Sequence, residues 1–185
     1  MSIDLAAVAK QKKIQYFLIS YVDLFGGLRA KLVPARAIGE MQKNGAGFAG
    51  FAWLAADLWM DGKEVEQAPR IALKRQIEKA AKAGYAMKTG VECEYFLIEQ
   101  DASAISDPYD IQEKPCYDQS ALMRRFDVIS EICDSMIALG WNPYQNDHED
   151  GNGQFEMNWE YDDCLLTADR HVLFKFMVKS IAENH

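Results

Sequence analysis

The sequence GVECEYFLI at residues 90–98 decides the fold, because it places two carboxylates inside an otherwise apolar stretch. Its apolar and aromatic residues predict a buried β-strand, and the spacing of two puts Glu92 and Glu94 on the same face. An ionised carboxylate is costly to bury without a partner, and two neighbouring carboxylates also repel each other. The stretch therefore predicts a cation held by Glu92 and Glu94.

A second acidic stretch, DHEDGNGQFEMNWEY, occupies residues 147–161. Its Asn152-Gly153 pair is a strong signal for a hairpin turn. The residues after the turn alternate between a polar set and an apolar set: Gln154, Glu156, Asn158 and Glu160, against Phe155, Met157, Trp159 and Tyr161. This alternation predicts a strand with one polar face and one packed aromatic face.

The predicted turn allows carboxylates from both stretches to meet. A hairpin brings Glu149 and Glu156 beside Glu92 and Glu94 if the two acidic strands are neighbours in one sheet. Hard divalent cations such as Mg²⁺ or Mn²⁺ prefer oxygen ligands and often bind substrate phosphates as well. The four carboxylates thus predict a metal site for phosphate chemistry. Taken singly, Glu149 and Glu156 are more often solvated side chains, and that alternative stays open.

A calcium loop beginning at Asp147 is the obvious rival. It requires Gly at the sixth position and Glu at the twelfth, where this sequence has Asn152 and Asn158. A lone His beside a turn is more often exposed or only hydrogen-bonded, so His148 is left out of the predicted ligands. The acidic stretch is therefore not a calcium loop of this type.

Hydrophobic periodicity and end signals predict the other elements. The predicted strands cover residues 16–22, 28–33 and 53–60, the first two paired as a hairpin. The predicted helices are one capped by Ser2 through residue 12, one opened by Pro34 through residue 43, one over 67–84, one over 118–140 capped by Asp118, and a final one capped by Thr167. Residues 45–50 (GAGFAG) match a dinucleotide-binding pattern, but they follow a helix, which favours an ordinary connection.

Composition excludes several classes of function. A net charge of −8 and a pI near 4.9 argue against nucleic acid as a partner. The sequence contains no run of about 18 apolar residues, so it does not predict a membrane-spanning helix. The first residues lack the pattern of a signal peptide, so we expect a cytoplasmic protein. The four cysteines form no CxxC pair, which predicts reduced thiols and no structural zinc.

Two motifs in order carry a resemblance to a known family. Residues 90–96 fit G-x-E-x-E-[FY]-F, and His148, Glu149, Gly153, Gln154 and Glu156 fit H-E…G-Q-x-E. On these motifs the sequence resembles the glutamine synthetase superfamily. Residues 16–35 (YFLISYVDLFGGLRAKLVPA) look like its small N-terminal β-grasp domain. Residues 114–118 (KPCYD) and 146–159 look most like a bacterial subgroup that includes type III glutamine synthetases and glutamate-methylamine ligases.

The resemblance implies an ATP-dependent ligase that forms a γ-glutamyl amide from glutamate and ammonia, or from glutamate and methylamine, through γ-glutamyl phosphate. It implies that Mg²⁺ or Mn²⁺ binds at Glu94, Glu149 and Glu156 on the glutamate side and at Glu92 on the nucleotide side. Tyr161 is the implied nucleotide contact, with a packed aromatic side chain as the alternative. A ring-shaped homo-oligomer is implied as well.

The expected fold class is α+β, with a β-grasp-like domain at residues 1–66 and the first part of a catalytic domain at 67–185. That second part is expected to contain an antiparallel sheet with flanking helices. The chain ends before the family's later motifs and lacks its usual excursion between Ala52 and Trp53. We therefore expect an incomplete site and an inactive 185-residue chain; a non-catalytic fragment or assembly subunit is the alternative from another class.

Overall fold

The computed structural model of the chain describes residues 3–23, 27–44 and 53–185, which form two units, Met1–Ala86 and Met87–His185. Both contain helices and small sheets, so the chain belongs to the α+β class, as predicted. The GAGFAG segment and the junction after Ala52 lie outside the described residues. The domain boundary between residues 66 and 67 stays a prediction.

The first unit packs helices on a three-stranded sheet. Its elements are α1 (Leu5–Lys12), β1 (Tyr16–Val22), β2 (Leu28–Pro34), a 3-10 turn (Ala35–Ala37), α2 (Ile38–Asn44), β3 (Trp53–Ala55), β4 (Trp59–Met60), β5 (Lys63–Glu64) and α3 (Pro69–Lys82). The central strand β1 is antiparallel to β2 and parallel to β3. Phe17 and Ile19 of β1 form the core with Ile38 and Ala9. The predicted hairpin of β1 and β2 is confirmed.

Two details of the first unit differ from the prediction. Asp4 caps α1 by accepting from the backbone N–H groups of Ala6 and Ala7, so the cap is two residues beyond the predicted Ser2. The continuous strand over 53–60 is wrong, because the chain leaves the sheet between β3 and β4. There Asp57 accepts hydrogen bonds from Arg70 and Lys74 at 2.5 and 2.7 Å, and these ion pairs hold the bend.

The second unit is built on a three-stranded antiparallel sheet with the order β7-β9-β8. Its elements are β6 (Lys88–Thr89), β7 (Glu92–Phe96), α4 (Gln119–Arg124), α5 (Phe126–Ala138), β8 (Pro143–His148), β9 (Gln154–Trp159), β10 (Asp162–Asp163) and α6 (Cys164–Ala182). The core joins Phe155, Met157 and Trp159 of β9 to buried residues of α5 and α6. The predicted packed face is thereby confirmed for Phe155, Met157 and Trp159.

The helices of the second unit depart from the prediction at two points. The helix expected over 118–140 is capped by Asp118, but it breaks at Arg125, whose side chain turns to donate a hydrogen bond to the carbonyl of Ser106. The last helix begins at Cys164 under an Asp163 cap, so the predicted Thr167 cap is wrong. Thr167 lies inside α6 and donates its hydroxyl proton to the carbonyl of Thr89 at 3.0 Å.

Candidate metal centre

The strand register places the two acidic stretches side by side. Glu94 of β7 is the direct partner of Glu156 of β9, and Glu92 is the partner of Asn158. On the other side of β9, Asp147 of β8 also pairs with Glu156. Directly opposed residues of antiparallel strands have their side chains on the same face. One face of the sheet therefore carries acidic residues from all three strands.

Three of the four predicted ligands meet in this face. Glu94, Glu149 and Glu156 each offer a carboxylate oxygen, and these three oxygens lie within 4.8 Å of one another. Glu149 reaches the group because it follows β8 directly, and its backbone N–H donates to the carbonyl of Gln154 at 2.9 Å. Glu92 is not in the group of three; it lies two residues before Glu94 on β7. Its role toward a second metal stays a prediction.

The burial of these carboxylates differs from the expectation. Glu92 and Glu94 are exposed, whereas Cys93 between them is buried, because only the face of β7 that carries Cys93 packs against the core. The expectation of a buried strand is correct for the face of β7 that carries Cys93 and wrong for the face that carries Glu92 and Glu94. The buried carboxylate of the cluster is instead Glu156 of the central strand β9, which is only 9% exposed. The cost of burying a carboxylate therefore lies mainly on Glu156.

Burial and neighbouring negative charges raise the pKa values of two carboxylates in the cluster. Burial raises the pKa of Glu156, and the carboxylates of Glu149, Glu92 and Glu94 raise it further. Burial also raises the pKa of Glu149, with Glu94 among the neighbouring charges that add to the effect. Both groups therefore favour a bound positive charge, either a proton or a cation.

Two amides orient the carboxylates. Gln154 Nε2 donates to Glu94 Oε2 at 2.6 Å, while Gln154 Oε1 accepts from the backbone N–H of Gly151 at 2.9 Å. Asn158 Nδ2 donates to Glu156 Oε1 at 2.6 Å. Each carboxylate keeps a second oxygen with free lone pairs. The amides thus restrict the carboxylates without using up their capacity to bind a cation.

The donor set fits a hard divalent cation. All three donors are carboxylate oxygens, the ligand type that Mg²⁺ and Mn²⁺ prefer. Mg²⁺ binds oxygen at about 2.1 Å, so two ligands of one ion are about 3 Å apart when adjacent and about 4 Å apart when opposite. The three oxygens, which lie within 4.8 Å of one another, are close to this spacing.

His148, which was left out of the predicted ligands, lies apart from the cluster. The side chain is 1% exposed, with Nε2 at 2.7 Å from Asp110 Oδ2 and Nδ1 at 2.9 Å from the carbonyl of Pro115. Sequence reasoning missed Asp110, because 38 residues separate it from His148 and no local pattern marks it.

A Cys-His contact that spacing did not reveal lies on the packed side of β7. Cys93 Sγ is 3.1 Å from His171 Nδ1. Burial raises the pKa of the Cys93 thiol to about 12, with Glu156 adding to the shift, and burial lowers the pKa of His171. The thiol is therefore protonated and donates to a neutral imidazole. This pair is not an activated nucleophile.

Tyr161 lies beyond the end of β9. Its side chain is 67% exposed, so the alternative of a packed aromatic residue is wrong. The ammonium of Lys88 lies 5.5 Å from the centre of the ring. An exposed aromatic ring with a cation close by suits a nucleotide base and its phosphates. The nucleotide contact itself stays a prediction.

The fold and the cluster together place three carboxylates, a donor set suited to a divalent cation, on one antiparallel sheet. Residues 66–185 match the family described as glutamine synthetase, catalytic domain. The chain belongs to the glutamine synthetase family, and the predicted family is thus confirmed.

Curated relatives carry two different names. The chain is 60% identical to a protein from Rhizobium leguminosarum bv. phaseoli named glutamine synthetase, covering 100% of this chain and 50% of the relative. It is 32% identical to a glutamate-methylamine ligase from Methyloversatilis universalis, covering 94% and 47%. The chain therefore spans about half the length of these relatives. The first alignment extends over 216 positions, more than the 185 residues of this chain, so it contains gaps in this chain.

A solved structure described as a GmaS/ADP complex resembles the chain closely. Its TM-score is 0.94 at 56% sequence identity, covering 100% of this chain and 50% of that one. A structure described as apo GmaS without ligand gives a TM-score of 0.93 at the same identity. The fold of the described units is therefore that of the corresponding half of a glutamine synthetase-type protein.

Proposed function

We propose that this chain forms the carboxylate part of the active site of an ATP-dependent ligase that joins ammonia to the γ-carboxylate of glutamate. The observation that carries the proposal is the meeting of Glu94, Glu149 and Glu156 in a member of the glutamine synthetase family. Such a ligase uses ATP to form γ-glutamyl phosphate, and the amine then displaces phosphate.

In this proposal the three carboxylates hold Mg²⁺ or Mn²⁺ against the reacting phosphate. The cation neutralises phosphate charge, which is the main electrostatic demand of phosphoryl transfer. Gln154 and Asn158 keep the carboxylates of Glu94 and Glu156 in place before the substrates arrive. Preorganised ligands are needed because each misplaced carboxylate reduces the affinity for the ion. Glu92 is assigned to a second cation on the nucleotide side, and Tyr161 to the nucleotide.

Methylamine is the second candidate for the amine. The observation that favours it is the relative from Methyloversatilis universalis, which is named glutamate-methylamine ligase and aligns with 94% of this chain. The more similar rhizobial relatives are named glutamine synthetase, so ammonia comes first in the proposal.

The test is an assay of phosphate release by the natural full-length protein. The assay contains ATP, glutamate and Mg²⁺, with ammonia in one series and methylamine in the other. Faster release with ammonia supports the first candidate, and faster release with methylamine supports the second. Silence with both amines, under conditions where Mn²⁺ still binds, overturns the ligase and leaves a non-catalytic assembly subunit.

Two further properties belong to the proposal. We assign the protein to the cytoplasm because its four cysteines are all free, as is usual in a reducing compartment. We assign a ring-shaped homo-oligomer to the whole protein by family resemblance, to be tested by light scattering. In the part of the chain that the structure describes, no helix is both long and apolar enough to cross a bilayer.

A further inference from the structure

We propose that Asp110 and His148 are positioning residues that hold the metal ligand Glu149 in place. This inference rests on the metal centre of the proposed function and adds two residues that do not touch the cation. Both residues belong to a hydrogen-bond network at the turn between β8 and β9.

The network centres on one buried carboxylate. Asp110 is 2% exposed, and its Oδ2 contacts His148 Nε2 at 2.7 Å and accepts from the backbone N–H of Gly153 at 2.5 Å. Its Oδ1 accepts from Asn152 Nδ2 at 2.9 Å. Burial alone raises the pKa of Asp110, but the hydrogen bonds from Asn152, Gly153 and His148 outweigh it and lower the pKa overall. Asp110 is therefore an ionised acceptor.

His148 completes the network through contacts at both ring nitrogens. Its Nε2 lies 2.7 Å from Asp110 Oδ2, and its Nδ1 lies 2.9 Å from the carbonyl oxygen of Pro115. The side chain is 1% exposed, so these contacts are shielded from water. The residue directly before Glu149 is therefore held by two buried contacts with the segment that contains Asp110.

The positions of the contacts connect the pair to the metal centre. Asp110 binds both ends of the turn that carries Glu149: His148 precedes Glu149 in the chain, and Gly153 closes the turn. The segment around Asp110 also holds the strand end, because the backbone N–H of Tyr117 donates to the carbonyl of His148 at 2.8 Å. Loss of the carboxylate removes the side-chain contacts at both ends of the turn and leaves only backbone hydrogen bonds there, so Glu149 is held less firmly relative to Glu94 and Glu156.

Asp107 provides a matched control in the same loop. It is 3% exposed, and its carboxylate accepts from Arg124 Nε at 2.6 Å and from the backbone N–H of Tyr109 at 3.1 Å; among the described residues, neither of these partners belongs to the turn at 149–153. Asp110→Asn and Asp107→Asn therefore each remove one buried charge from one loop, but only the first loosens the turn that carries Glu149. The comparison separates positioning from general stability.

The experiment measures the affinity of the chain for Mn²⁺ alone, from the electron paramagnetic resonance signal of the free ion. We expect Asp110→Asn to weaken Mn²⁺ binding at least fivefold and Asp107→Asn to change it less than twofold, while both lower the midpoint of thermal unfolding. If Asp110→Asn fails to fold, Asn152→Ala removes a single contact to Asp110 and is expected to weaken binding two- to threefold. Unchanged Mn²⁺ affinity in the folded variant overturns the proposal, as does equal weakening by both Asp variants.

A second measurement keeps this inference separate from the proposed function. Hydrogen exchange at the Glu149 amide, followed by NMR without metal, reports the turn directly. We expect exchange to quicken in Asp110→Asn and not in Asp107→Asn. Absence of Mn²⁺ binding by the unmodified chain counts against the metal centre, whereas equal exchange in the two variants overturns the positioning role of Asp110 and His148.

Discussion

Glu94 and Glu156 are direct cross-strand partners, yet one is exposed and the other is nearly buried. The difference follows from the sheet order, since Glu94 lies on the edge strand β7 and Glu156 on the central strand β9. The exposed partner keeps its hydration, whereas the buried partner bears the cost of lost hydration and of charge repulsion. The cost of an ionised carboxylate in this cluster therefore lies mainly on Glu156, which the proposed cation would offset.

Glu156→Gln is expected to weaken Mn²⁺ binding at least tenfold and to stabilise the metal-free chain. Because the pKa of Glu156 is raised in the folded state, ionising this group opposes folding, and the cost appears as the pH rises through that pKa. The neutral amide removes the cost. We expect the thermal midpoint at pH 7 to rise by about 3 °C, the shift produced by roughly 1 kcal/mol in a chain of this size.

Two variants calibrate that result. Glu94→Ala removes another member of the cluster and is expected to weaken Mn²⁺ binding to a similar degree. Glu160→Gln changes an exposed residue that follows β9 and contacts Asn142, so it is expected to leave the affinity within twofold. Equal effects at all three positions contradict the assigned ligands.

Tyr161→Ala is expected to weaken ADP binding by roughly tenfold, since stacking of a base on an aromatic ring contributes about 1–3 kcal/mol. Tyr161→Phe keeps the ring and is expected to bind ADP within twofold of the unmodified protein. Tyr144→Ala, at another exposed tyrosine, serves as the control. Isothermal titration of the natural full-length protein measures the affinity for ADP of all three variants. An unchanged affinity in Tyr161→Ala would refute the nucleotide contact.

Gly153→Ala is expected to destabilise the chain by about 3 kcal/mol. Its φ of +73° disfavours a side chain, and an added Cβ would lie 2.8 Å from the Ile105 side chain. The positive φ accounts for about 1 kcal/mol and overpacking for a further 1–3 kcal/mol. Gly140→Ala isolates the first effect, because Gly140 has a φ of +75° with no atom within 4 Å of its added Cβ. Urea unfolding that gives equal losses contradicts the steric contribution.

Asp57→Asn is expected to cost about 2 kcal/mol at pH 7, as is typical of lost hydrogen bonds to charged groups. Burial opposes ionisation of Asp57, but hydrogen bonds from Lys74 and Arg70 lower its pKa overall. Its contribution to stability is complete above the ordinary Asp pKa of about 4 and is lost as the pH falls through the lowered value. The difference between the variant and the unmodified chain should therefore vanish in acid.

The control for Asp57 is the surface ion pair between Glu66 and Arg75. Glu66→Gln is expected to leave the free energy of unfolding unchanged, because exposed ion pairs contribute little. A pH-independent loss in Asp57→Asn would mean that packing, and not charge, explains its effect.

The sequence predicts the parts of this fold that depend on local pattern. The alternation over residues 154–159 identifies the faces of β9, and Asn152-Gly153 identifies the turn that brings Glu149 toward Glu156. Both signals are local because side-chain direction in a strand has a period of two and the turn needs a positive φ at Gly153. The residues of the cluster could therefore be named before the fold was known.

The features that sequence did not predict depend on distant partners. Helical periodicity runs through Arg125, where the structure has a break between α4 and α5 and the Arg125 side chain donates a hydrogen bond to the carbonyl of Ser106. Similarly, the apolar residues of β7 do not reveal that only one face is covered, since this depends on which face packs against α5 and α6. The Asp110 carboxylate finds His148 across 38 residues. Such contacts arise from tertiary packing, which overrides local preference.

In the proposed metal centre, the direct pairing of Glu94 with Glu156 would also make the metal ion a reporter of correct folding. A slip of β9 by one residue would turn Phe155 and Met157 outward and Glu156 inward, exposing the core and dispersing the ligands in one step. A misfolded sheet of this kind cannot retain the cation. Mn²⁺ titration of a fresh preparation would therefore count the molecules whose strands are aligned, without any need for substrate.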